Sequence, residues 1–346
     1  MLQRFFSRFS KDLAVDLGTS RTLIYVKDQG IVINEPSIVA INLRNDHILS
    51  VGEEAYKMLG RTPSHIVATK PLVDGVVSDF EATERMLKYF LDRVREEMGG
   101  IVSRPRVVIG IPLQITEVER KAVEDAARGA GAREVFLIEQ VIAAAIGARL
   151  PIQDPVGNVI VDSGAGTTEI AVISSNGIVT SRSLKTAGDD YTEGLIQYVR
   201  EDANVLLGER TAEEMKLKIG AAAPLEERLE MHIRGRDLLT GLPKEILMTS
   251  DKTRESFIRL IKIIIDNIRA TLEETPPELI SDIHRKGIVL CGGSSLLRGF
   301  SDMLVDEFKI PIHIADDPTT CVVRGLGFLL SDAALLRELS VNTPSA

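Results

Sequence analysis

Short apolar runs alternate along the chain with segments whose apolar residues recur every three to four positions, the mark of α/β construction. Runs at residues 13–15, 23–26 and 31–33 predict a hairpin series, and those at 107–111 and 135–138 predict short buried strands. Each of the latter is followed by a helical pattern, at 116–129 and 141–149, and residues 159–161 and 169–173 predict a second hairpin. The longest amphipathic stretch, 251–274, carries Phe257, Ile258, Ile261, Ile264, Ile265, Ile268 and Leu272 at helical spacing and stops at Pro276 and Pro277. It predicts a core-facing helix.

Within this pattern one stretch occurs twice. LAVDLGTSRTLIYV at 13–26 and VIVDSGAGTTEIAV at 159–172 both read as apolar strand, Asp, Gly/Thr turn and second strand, which predicts two similar halves. Such turns expose backbone N–H groups that cradle an anion, and neighbouring hydroxyls add donors. Gly18, Thr19 and Ser20 in one copy, and Gly164, Ala165 and Gly166 in the other, are therefore candidate phosphate ligands. Asp16 and Asp162 at the strand ends are placed to hold a hydrated Mg²⁺. One Asp-x-Gly-Thr is weak, since any Gly-turned hairpin yields it; two copies favour phosphates lying between two lobes. A third element, strand 288–290 running into Cys291, Gly292, Gly293, Ser294 and Ser295, lets backbone approach a flat or phosphorylated ligand, or is simply a tight strand-to-helix turn.

Composition narrows the classes. The 346 residues hold 41 Lys and Arg against 50 Asp and Glu, a net charge of −9, with 44% hydrophobic and 4% aromatic residues. This is core-forming and mildly acidic, which excludes whole-chain disorder and argues against nucleic acid as a partner. The length suggests two or three lobes. Neither a run of about 18 apolar residues nor a signal-peptide core occurs, so a cytoplasmic protein is expected. Cys291 and Cys321 lack ligand-like spacing and are expected to be buried free thiols.

The charge is unevenly spread: residues 1–11 carry +3 and the remainder −12. Leu2, Phe5, Phe6 and Phe9 fall on one helical face, with Arg4, Arg8 and Lys11 among the rest, an interfacial amphipathic helix in miniature. Each basic residue near an anionic leaflet contributes about 1 kcal/mol, and each inserted Phe roughly 1.5 to 3 kcal/mol. Ordering the segment costs about 1 to 2 kcal/mol per residue, so one copy binds weakly and many tethered copies bind well. The other reading docks the Phe cluster on its own domain.

Further motifs are Asn34-Glu35-Pro36-Ser37, Gly60-Arg61-Thr62-Pro63, Asp74-Gly75-Val76 with Asp79-Phe80, Ala143-Ala144-Ala145-Ile146-Gly147-Ala148, Gly166-Thr167-Thr168-Glu169 and Leu296-Leu297-Arg298-Gly299. With the paired turns, they resemble the actin, Hsp70 and sugar-kinase nucleotide-binding superfamily over nearly the whole chain, and more narrowly the MreB-like bacterial actins of cell-shape control. That resemblance implies an actin-like ATPase fold of two lobes, each a mixed sheet flanked by helices, with nucleotide in the cleft. It implies subdomain IA at 1–32, 76–143 and 316–346, IB at 33–75, IIA at 144–181 and 247–315, and IIB at 182–246. It implies ATP with Mg²⁺, slow hydrolysis coupled to polymerisation into double protofilaments, anionic inner-membrane lipid, and membrane proteins of the wall-elongation machinery as partners.

The resemblance gives Glu139 the role of polarising the attacking water, and Thr167 and Thr168 contacts to terminal phosphates or that water. Read from the residues alone, Glu139 is a helix N-terminal acid favoured by the macrodipole. Glu213 in Thr211-Ala212-Glu213, with Lys216 on the same helix side, would bind ribose or adenine; alone, the pair reads as a solvated charge couple. Departures from the family are Ala165 for Gly, Gln140 for the Pro after Glu139, Ala187 for Gly and Val323 for Ala. Residues 98–102, MGGIV, stand where relatives insert a hydrophobic loop. The alternatives are a small-metabolite kinase, for which no base or substrate pocket is legible, and a magnetosome or plasmid-segregation actin. An Hsp70-like chaperone would need a substrate domain where about 16 residues follow Leu330.

Overall fold

The repeated stretch builds the centre of two five-stranded sheets laid out on one plan. The computed structural model describes residues 12–97 and 104–341. Leu2, Arg4, Phe5, Phe6, Arg8, Phe9 and the 98–102 loop lie outside the described residues. The chain divides into two compact units, one running to Asp154 with Ser175–Gly177 and the part from Thr319, the other Pro155–Ser174 with Ile178–Pro318.

In the first unit the sheet order is Glu134–Glu139, Arg106–Ile111, Leu13–Leu17, Arg21–Val26, Gly30–Pro36. The first three strands run parallel and the last two complete an antiparallel meander. Because side chains alternate along a strand, Val15, Leu17, Ile109, Ile111 and Leu137 share one face, where they pack on Phe90 and Val94 of the helix Phe80–Glu97 and Val123 of the helix Glu117–Gly129. Asp79 caps the first of these helices, accepting from Ala82 N at 3.0 Å. Thr116 and Glu119 form a capping box on the second. The opposite face meets the helices Gln140–Gly147 and Cys321–Leu329. These two approach so closely that a Cβ on Gly147 would overlap the Cys321 carbonyl and one on Gly325 that of Ala143, which explains the small-residue run at 143–148. A small antiparallel sheet, His47–Val51, Val39–Asn42 and Ile66–Thr69, completes the main elements of the unit.

The second unit repeats the plan with Gly177–Leu184, Thr168–Ser174, Asn158–Ser163, Ile288–Cys291 and Ile312–Ile314, the last three parallel. Its predicted long helix is Ser250–Glu273, with Thr249 capping it, and Phe257, Ile261, Ile264 and Ile268 are buried as expected. Ile258 is not core-facing: it is 58% exposed, because it lies one position beside the buried stripe. The helix expected around Glu213 and Lys216 is Glu209–Ile219, whereas the helix Gly188–Ala203 and the sheet Val205–Leu206, Glu230–Asp237, Pro243–Thr249 were unforeseen. Cys291 and Cys321 are buried thiols that form no disulfide, as expected. Among the described residues no single helix is long and apolar enough to cross a membrane.

Candidate functional site

The two Gly turns close identically. Gly18 N donates to Arg21 O at 3.1 Å, and Gly164 N donates to Thr167 O at 2.9 Å, each capping a hairpin whose first strand carries the Asp one residue before its end. The residue after each turn is a fully buried threonine, Thr22 or Thr168. Thr22 lies 2.8 Å from the Ser37 hydroxyl and Thr168 2.8 Å from that of Ser163. Thr168 spends its proton on Thr186 O at 2.8 Å, so its hydroxyl braces the sheet and does not face a ligand. Of the predicted pair, only Thr167 sits in the turn itself, half-buried.

Each turn is also pinned from outside. Ser37 Oγ donates to Gly18 O at 2.7 Å, and Ser294 Oγ donates to Gly164 O at the same distance. Thr19 Oγ1 accepts from Gly75 N at 2.9 Å, leaving its proton for an acceptor. In the second unit, Gly188 N donates to Gly164 O at 3.1 Å and Asp189 N to Ala165 O at 2.8 Å. Arg21 is held by Asn34, with Nε at 2.6 Å from Oδ1. Burial works to raise the Glu35 carboxyl, but the Arg93 guanidinium at 2.8 Å and the Glu53 N–H outweigh it and hold the carboxyl below its usual range. The 34–37 motif is thus scaffolding for the first turn, a role no spacing rule exposed.

Asp16 pairs in register with Gly110, which pairs with Ile138, so these three share one sheet face at the C-terminal ends of parallel strands, where open α/β sheets bind ligands. Glu139 pairs with Ile111 and, by alternation, belongs to the other face, with Leu17 and Leu137. Glu139 stands at the N-cap of the helix Gln140–Gly147 but makes no side-chain cap bond, and burial raises its carboxyl. It is thus an acid at a helix N-terminus, as read from the residues alone, without a side-chain cap bond. The next side chain does reach Asp16: Gln140 Nε2 donates to Asp16 Oδ1 at 3.4 Å, passing over Gly110.

Asp162 pairs with Cys291 across a parallel strand. Burial pushes its carboxyl up to about 6, opposed by a hydrogen bond with the Cys291 thiol. Gly292, at φ +79°, lays its backbone on this pair; a Cβ there would overlap the Ser163 carbonyl and stand 2.7 Å from Asp162 Oδ1. Gly293, beside it, has nothing within 4 Å of its Cβ direction. A crowded carboxylate that burial disfavours as an anion, next to open backbone, suits a hydrated cation and phosphate oxygens. Among the described residues no three His, Cys, Asp or Glu side chains gather as a metal cluster. Magnesium would therefore rest on single carboxylates, with water and phosphate completing its shell.

Glu213 and Lys216 are more buried than a solvated couple. Lys216 Nζ donates to Gly188 O at 2.7 Å and Thr192 Oγ1 at 3.0 Å and pairs with Glu213 Oε2 at 2.7 Å, which occupies all three of its protons. Lys216 thus holds the start of the helix Gly188–Ala203, and a ligand would meet Glu213. Ala187 replaces a glycine without strain, since its φ of −155° is ordinary extended backbone. Gly188 carries the crowding instead, with Ser294 Oγ 3.0 Å from its Cβ direction.

Known proteins share this sequence pattern and fold. The family model described as MreB/Mbl protein matches residues 10–338. The cell shape-determining protein MreB of Escherichia coli K12 is 47% identical over 94% of this chain and 95% of its own. The cell shape-determining protein Mbl of Bacillus subtilis 168 is 44% identical over 96% of this chain and its own full length. The crystal structure of MreB5 of Spiroplasma citri bound to ADP superposes with a TM-score of 0.89 at 37% identity, covering 95% of this chain and 98% of that one.

Proposed function

Because the chain belongs to the MreB/Mbl family of actin-like cell shape-determining proteins, we propose that it binds ATP with Mg²⁺, hydrolyses it slowly, and polymerises into membrane-associated filaments that organise cell-wall elongation. The observation that carries this reading is the duplicated turn: in both units a strand carries a carboxylate one residue before its end, a Gly N–H closes the hairpin, and a Ser hydroxyl pins the Gly carbonyl. Each turn is a phosphate cradle in its own unit, with Thr19 and Ser20 in the first and Gly166 and Thr167 in the second as donors. Asp16 and Asp162 would hold the hydrated magnesium, which when bound neutralises phosphate charge. Gly292 and Gly293 offer open backbone to the nucleotide, and Glu213 a carboxylate to its ribose or base.

Binding of nucleotide by a relative, MreB5 with ADP, supports the cofactor assignment. The amphipathic pattern of residues 2–9 supports a peripheral place on anionic lipid at the inner face of the cell membrane. Sedimentation and electron microscopy with ATP and anionic liposomes test the reading. Full-length protein should pellet as filaments on liposomes, and a deletion of residues 2–9 should still polymerise but leave the lipid. Monomers under every condition would overturn it.

A further inference from the structure

We propose that Asp162 and Cys291 together form a site for thiophilic divalent cations of the Zn²⁺ and Cd²⁺ class, which compete there with magnesium; only the competition rests on the reading that Asp162 serves a nucleotide-bound Mg²⁺. The pair is built by the second sheet. Asp162 and Cys291 are register partners on the parallel strands Asn158–Ser163 and Ile288–Cys291, so their side chains leave the same face of neighbouring strands about 4.8 Å apart. The thiol is hydrogen-bonded to the carboxylate, which brings sulfur and oxygen within reach of one ion. A tetrahedral ion with bonds of about 2.3 Å to sulfur and about 2.1 Å to oxygen needs the two atoms about 3.6 Å apart. A thiol–carboxylate hydrogen bond already holds them near that separation.

The surroundings fix the pair and leave a way in. Gly292, at φ +79°, lays its backbone over Ser163 and Asp162, and its N–H donates to Pro318 O at 2.9 Å. Cys291 is fully buried, whereas Asp162 is half-buried and Gly293 has nothing within 4 Å of its Cβ direction. An ion therefore meets the carboxylate first and the sulfur second, with water or phosphate oxygens as its remaining ligands. Hardness decides which ions complete that step. Mg²⁺ keeps oxygen ligands and water and passes the sulfur by, while Zn²⁺ and softer ions bind thiolate. The ion takes the place of the thiol proton, which leaves to water, and no atom changes oxidation state. The other thiol gives the contrast. Cys321 Sγ accepts from the Arg324 guanidinium at 3.2 Å, and a cation beside the sulfur repels a second one.

The test is ultraviolet titration of the full chain with Cd²⁺, following the thiolate-to-metal charge-transfer band, first without nucleotide and then in competition with the Mg²⁺-supported binding of a fluorescent ATP analogue. Circular dichroism of each variant checks that it is folded. The parent chain should form the band, and Cd²⁺ should displace Mg²⁺ from the analogue-bound protein. Cys291→Ser keeps a donor beside Asp162 but no sulfur; it should lose the band, and its affinity for Cd²⁺ relative to Mg²⁺ should fall by roughly tenfold or more. Asp162→Asn should keep the thiol but raise the Cd²⁺ midpoint by roughly threefold or more. Cys321→Ser should leave the band and its midpoint at parental values. A band that survives Cys291→Ser, a band that Cys321→Ser removes, or a folded parent chain without one would overturn the proposal. A parent chain that forms the band but shows no Mg²⁺-dependent nucleotide binding would instead remove the nucleotide reading, and with it only the competition.

Discussion

A Cβ on Gly18 would stand 2.7 Å from the Arg21 carbonyl, whereas a Cβ on Gly164, at the matching place in the other turn, would stand 3.6 Å from that of Thr167. The same closing bond is thus tight from within in the first turn and relaxed in the second. In the second turn the crowding has moved to neighbours: Gly188 is 3.1 Å from Gly164 O by its Cβ direction, and Gly292 presses on Ser163 and Asp162. The lesson is that one sequence motif can secure one backbone shape by two routes. Both turns are pinned from outside by a serine hydroxyl, but the first is crowded by its own residues and the second by the helix Gly188–Ala203 and the 292–295 loop that pack on it.

The largest effect should come from Gly292→Ala, which meets both a φ of +79° and backbone of the neighbouring strand. A cost of about 2 to 4 kcal/mol is expected in chemical denaturation, with nucleotide binding lost. Next, Gly18→Ala should lower nucleotide affinity about tenfold or more, since its Cβ forces the turn open, while Gly164→Ala should stay within about twofold. Titration with a fluorescent ATP analogue separates the two, and equal losses would erase the distinction drawn between the turns. Ser37→Ala and Ser294→Ala remove matching 2.7 Å bonds and should each cost about 0.5 to 1.5 kcal/mol of stability. Being in different units with no shared partner, they should add in the double variant.

A smaller, pH-dependent effect sharpens the account of the first turn's scaffold. The Glu35 carboxyl is held below its usual range in the folded chain, so it stabilises the fold above its unfolded pKa, and that contribution fades as pH falls through the lowered folded value. Glu35→Gln should therefore be less stable than the parent at neutral pH and converge with it on acidification. Urea midpoints at pH 7 and in the acid range check this, and a gap that widens on acidification would contradict it.

The turns were legible in the sequence because their closure needs particular residue types, an Asp at the strand end and a Gly that admits a close carbonyl. The hairpins, the buried strands and the long helix were legible from period alone. What period could not supply was the face: Glu139 and Gln140 are neighbours in sequence, but strand pairing with Ile111 on one side and reach over Gly110 on the other separates them. Thr167 and Thr168 likewise look equivalent until pairing buries the second against Ser163. Lys216 reads as a surface lysine because its acceptor, Gly188 O, is 28 residues away. Ser37 and Ser294 carry no local signal, since each acts on a turn far off in the chain.

The central claim, that both turns are phosphate cradles served by a strand-end carboxylate, is tested most directly by titrating the full chain with a fluorescent ATP analogue, with Mg²⁺ and with chelator, beside Asp16→Asn and Asp162→Asn. The account predicts saturable binding that weakens with chelator, and loss of that Mg²⁺ dependence in both variants while the protein stays folded. Binding that ignores Mg²⁺, or that survives both substitutions unchanged, would contradict it.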